Sequence, residues 1–156
     1  MKVHWNRVAK TVESVIAAYP KVTGLQILDD NGNALIPGYA GGWIPDTTSG
    51  RKRAIERLRE MQGVSNSSPA EGLEVALKKY SVSDGEISIF VFGDDFTGSS
   101  YDEVLAVIDR WNRTPDGGKK ASINSVGFPW GLGQRYATLM REAGRRSGGV
   151  FVGLPE

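Results

Sequence analysis

The sequence predicts an α/β fold in which a mainly parallel sheet is sandwiched between helices and carries a hairpin at one edge. Three observations lead there. Segments with apolar residues at helical spacing alternate along the chain with short apolar runs too brief for a helix. One run, Ile87-Ser88-Ile89-Phe90-Val91-Phe92, is nearly continuously apolar, the pattern of a central strand covered on both faces. The turn-forming Asp30-Asn31-Gly32-Asn33 separates two further apolar runs, as in a hairpin. Helices alternating with strands imply right-handed crossovers and therefore parallel neighbours.

The elements follow in order. From Trp5 to Tyr19, Val8, Val12, Val15, Ile16 and Tyr19 form one helical stripe that Pro20 stops. Val22 to Leu28 reads as a buried strand and Ala34-Leu35-Ile36 as its return, ending at Pro37-Gly38. Residues 38–50 form an irregular loop anchored by Trp43 and Ile44. Thr48 or Ser49 caps a helix reaching about Gln62, with Ala54, Ile55, Leu58 and Met61 inward and five arginines and lysines facing water. Pro69 opens a helix carrying Leu73, Ala76, Leu77 and Tyr80. After the strand 87–92 come a helix from Tyr101 to Trp111, the turn Thr114-Pro115-Asp116-Gly117-Gly118, and a strand from Ala121 to Phe128. A helix from Arg135 to Ala143 and a strand from Gly149 to Leu154 complete the order. No repeat or linker divides the 156 residues, so a single domain is expected over 1–156.

Composition excludes several functions. Nineteen basic against eighteen acidic residues leave a net charge of +1, which gives no surface for neutralising nucleic acid or anionic lipid. No run is apolar enough for a membrane span, and Met-Lys-Val-His-Trp lacks the apolar core of a signal peptide, so a cytoplasmic location is expected. The chain has no cysteine and one histidine, His4. Thiolate chemistry, Ser-His-Asp catalysis and multi-imidazole metal sites are thereby unsupported, and a metal here would be held by oxygen.

In parallel sheets ligands gather beyond the carboxyl ends of the strands, where Gly93-Asp94-Asp95-Phe96-Thr97-Gly98-Ser99-Ser100 falls. Two carboxylates and neighbouring hydroxyls offer hard oxygens to Mg²⁺, with Ca²⁺ or Mn²⁺ as alternatives. The competing reading makes Ser99 or Ser100 a helix cap and the aspartates solvated loop residues. The same competition between capping and ligation applies to Ser65-Asn66-Ser67-Ser68.

The ordered set of elements resembles a von Willebrand factor A domain, the fold of many adhesion and complex-assembly modules. The matching pieces are Val8 to Ile16 with Val22 to Leu28, the loop and helix from Ser65 to Leu73, and the strand ending Phe92-Gly93-Asp94. Ile108 to Asn112, Ser122 to Phe128 and Ser147 to Phe151 continue the match. The resemblance implies a non-enzymatic module that binds a protein or a ligand carboxylate through a divalent cation. It places Ser67 at the family's threonine position, with Ser65 as the alternate register, and Asp94 at the family's strand-end aspartate. Asp95 is a further ligand candidate in place of the family's glycine. Thr97, Ser99 and Asn66 are supporting or alternate positions, and Trp130 lies on the edge that would meet the partner.

The family's first strand and its Asp-x-Ser-x-Ser loop, which holds the primary metal ligands, would precede the first helix, yet the chain begins almost at that helix. Asp95-Phe96-Thr97-Gly98-Ser99 matches the loop pattern but has too little chain after it for the usual order. In the family the absent strand is central, between the strands matching 22–28 and 87–92. Six such buried residues stabilise a fold by about 10 kcal/mol before entropy, comparable with the whole net stability of a domain. The expectation is therefore weak Mg²⁺ binding and self-association through strand pairing or helix exchange. The alternative is a small Mg²⁺-dependent phosphatase-like enzyme using Asp94 and Asp95, whose adjacency departs from the Asp-x-Asp-x-Thr spacing of haloacid dehalogenases.

Overall fold

The computed structural model describes residues 5–61, 68–82, 85–129 and 134–156. The chain is a mixed α/β protein that divides into two compact units, one of residues 1–29 and 33–65 and one of residues 30–32 and 66–156.

In the first unit α1, Trp5–Ala18, buries Val8, Ala9 and Val12 and ends before Pro20 as its sequence requires. β1, Gly24–Leu25, pairs antiparallel with β2, Ile44–Pro45. The expected strand 22–28 is thus far shorter than its apolar run, and its partner comes from the segment read as irregular loop. The hairpin across Asp30–Asn33 survives as one antiparallel bridge, Leu28 to Ala34, flanked by Leu35 N–H donating to the Ile27 carbonyl at 2.9 Å. The side chain of Gln26 explains the short ladder: its amide bonds the carbonyls of Tyr39 and Gly42, both at 2.9 Å, so loop backbone takes the place of strand backbone. Ile44 anchors the loop and is fully buried, whereas Trp43 is 39% exposed.

α2, Thr48–Glu60, starts one residue after its cap: Thr47 Oγ1 accepts from Gly50 N at 3.0 Å. Ala54, Ile55 and Leu58 face inward as expected. Arg51 does not join the solvated face. Its guanidinium bonds Asp46 and the Ile16 and Tyr19 carbonyls, closing the C-terminal end of α1, while Asp46 Oδ2 also accepts from Val22 N at 2.9 Å. The hydrogen bond from Arg51, followed by that from Val22, holds the Asp46 carboxyl below its ordinary pKa. A residue read as one of five surface cations instead ties the end of α1 to α2.

The second unit holds the parallel sheet. α3, Ala70–Val75, runs on into a π-helical turn, Ala76–Tyr80, that buries Leu77 and Tyr80. β3, Ile87–Gly93, then α4, Asp102–Trp111, β4, Ala121–Gly127, α5, Gln134–Ser147, and β5, Phe151–Gly153, complete it. The sheet order is β3-β4-β5, parallel throughout, with Ile87 opposite Ala121 and Ser125 opposite Phe151. Leu73, Val104, Leu105, Ile108, Leu139 and Met140 from the helices enclose Ile123, with Ile89, Val91 and Phe151 packed against them. α5 extends four residues past its expected end. Gly148, at φ +79°, supplies the left-handed conformation that ends it, and Gly149 N bonds the Gly144 carbonyl at 3.0 Å.

β3 is not central. Among the described residues it pairs with β4 alone, and its residues from Ile87 to Phe92 are half-buried or exposed. β4 is the middle strand, with five of its seven residues buried. Its backbone is satisfied along the side away from β3 by three separate devices. Asn112 Nδ2 bonds the Ala121 carbonyl at 2.9 Å and Asn112 Oδ1 accepts Ala121 N–H at 2.8 Å. Ser147 Oγ accepts Ile123 N–H at 2.9 Å. From Ser125 onward β5 takes over, with Ser125 N bonding the Val150 carbonyl at 2.8 Å and Leu154 N the Gly127 carbonyl at 2.8 Å. Polar residues around β4 are what make a buried central strand possible.

Candidate functional site

The loop between β3 and α4 begins at the carboxyl end of β3, where a parallel sheet presents its ligand-facing residues. Alternation puts Gly93 on the helix-covered face, and the reason for a glycine there is steric: a Cβ would overlap the ring of Tyr136 from α5. That tyrosine is buried, and its hydroxyl donates to the Val91 carbonyl at 3.1 Å. Burial, helped by the nearby negative charge of Asp94, pushes its phenol well above its ordinary pKa, so it stays neutral and acts as a donor. Asp94 is therefore placed at the strand end, half-buried and within electrostatic range of Tyr136.

Asp95 turns back into its own loop. Its Oδ1 accepts Phe96 N–H at 2.7 Å, a local turn that directs Phe96 into the core at 1% exposure. Phe96 stacks at a tilt on Tyr101, with ring centroids 5.6 Å apart, and the guanidinium of Arg135 lies over both rings while donating to the Gly98 carbonyl at 2.6 Å. Thr97 and Ser99 are exposed. Ser100, rather than Ser99, supports the start of α4, accepting Asp102 N–H at 3.1 Å, and Asp102 and Glu103 place negative charge in its first turn. The loop is thus folded around Phe96 and fastened from α5 by Arg135, an attachment that residue spacing gave no means of finding.

The donor chemistry here is thin for a cation. Asp95 already spends one carboxylate oxygen on the backbone N–H of Phe96, and among the described residues no group of three or more His, Cys, Asp or Glu is placed to hold a metal ion. Ser65 and Ser67, read as metal ligands, Asn66, read as a supporting or alternate position, and Trp130, read as a partner-binding residue, lie outside the described residues.

Grooves open on the described surface. One lies between α1 and α2 beside Asn6, Lys10 and Arg59, and one between α4 and α5 beside Leu105, Thr138 and Arg141. Neither includes Asp94 or Asp95. Near the end of α5, Arg145 and Arg146 both bind Glu142, and Arg146 also reaches Asp109 of α4. No helix among the described residues is long and apolar enough to cross a membrane.

No protein-family model matches the chain, and no curated protein sequence matches it.

Proposed function

We propose that the chain is a non-enzymatic partner-binding module built on a von Willebrand factor A-like frame, whose sheet is completed by association with a second copy. The observation that supports this reading most is the position of β3. The strand with the most continuous apolar sequence stands at the side of a three-stranded sheet, and β1 belongs to a separate two-stranded ladder. In the family the chain resembles, a further strand runs between these two. Phe128 N bonds the Gly93 carbonyl at 2.8 Å, which fixes the phase of the ladder: Ile89, Val91 and Gly93 address β4, and the backbone of Ser88 and Phe92 faces the other way. Ile87 to Gly93 contains neither a charge nor a proline, the usual devices that keep a strand edge from pairing. In this reading Asp94 marks the remnant of a cation site, and the association requires no metal.

Light scattering at micromolar concentration tests the proposal. The expected mass is about twice 16.9 kDa, and Ser88→Lys, which puts a charge on an exposed edge position, shifts the protein to monomer with an unchanged circular dichroism spectrum. A compact wild-type monomer overturns the reading.

A further inference from the structure

We draw no further inference here: the strongest candidate, the side of β3 that faces away from β4 between Ser88 and Phe92, belongs to the surface on which the proposed function already rests, and nothing in the structure shows what covers it.

Discussion

β3 and β4 are both seven residues long and are paired along their whole length, yet they are built on opposite plans. β3 is almost wholly apolar and half-buried. β4, Ala-Ser-Ile-Asn-Ser-Val-Gly, mixes small, polar and apolar residues and is the buried strand. The difference teaches that a strand's place in a sheet depends on who satisfies its backbone as well as on its own hydrophobicity. Burying β4 is possible because Asn112, Ser147 and β5 take up the polar groups that β3 does not reach, and because its small residues let α5 and β5 approach.

The close approach is where the contrast breaks most severely. A Cβ on Gly149 would collide with the Ile123 carbonyl, a backbone atom that cannot swing aside. Gly149→Ala is expected to cost about 3 kcal/mol in urea denaturation. A cost below about 0.5 kcal/mol would mean that β4 is not gripped there.

Next in size is the clamp at the start of β4. Asn112 is 3% exposed and bonds both the N–H and the carbonyl of Ala121, so Asn112→Ala leaves two buried backbone groups without partners. The expected loss is about 2 kcal/mol, read from the same denaturation midpoint, with the slope unchanged. Wild-type stability in this variant would show that the clamp is dispensable.

Ser125 sharpens the comparison in the other direction. Its Oγ is buried in the middle of β4 with no hydrogen-bond partner, the one place where the polar plan of this strand is unsatisfied among the described residues. Ser125→Ala removes that oxygen without leaving a large void and is expected to raise stability by about 1 kcal/mol. A loss of stability would reveal a bond that the hydroxyl makes.

The smallest expected effect lies at the surface. Hydrogen bonds from Arg145 and then Arg146 hold the Glu142 carboxyl down at about 2, against an ordinary 4.5. A depressed carboxylate pKa contributes stability that is fully present above the unfolded value and is lost as pH falls from 4.5 through 2. Glu142→Gln should therefore flatten the acid limb of a stability–pH curve in that window and leave the curve above pH 5 with the same slope. An unchanged acid limb would assign the acid sensitivity elsewhere. Because these groups are exposed, added salt should shrink the difference.

The parts of the fold visible in sequence are those governed by local chemistry. Helical spacing located α1, α2, α4 and α5, Pro20 stopped α1, and apolar runs located β3, β4 and β5. What the pattern could not show is pairing, because a ladder is chosen by residues distant in sequence. Gln26 substitutes loop carbonyls for a strand, shortening β1, and the central position expected for β3 passed to β4 through contacts made by Asn112 and Ser147. Arg51 was misread for the same reason: its three acceptors, Asp46, Ile16 and Tyr19, are assembled by the fold. At the candidate site the strand-end position of Asp94 followed directly from the apolar run before it. The use of Asp95 as a turn acceptor and the reach of Arg135 to Gly98 depend on Phe96 entering the core, which spacing does not encode.

Residue-resolved amide hydrogen exchange, followed as the protein is concentrated, tests the difference between the two strands most directly. The account predicts that Ile123, Ser125 and Val126 in β4 are protected at every concentration, as are Ile89 and Val91 in β3. Ser88 and Phe92 should exchange rapidly when dilute and become protected as copies associate. Slow exchange at Ser88 and Phe92 in a dilute monomer, or rapid exchange in β4, would contradict it.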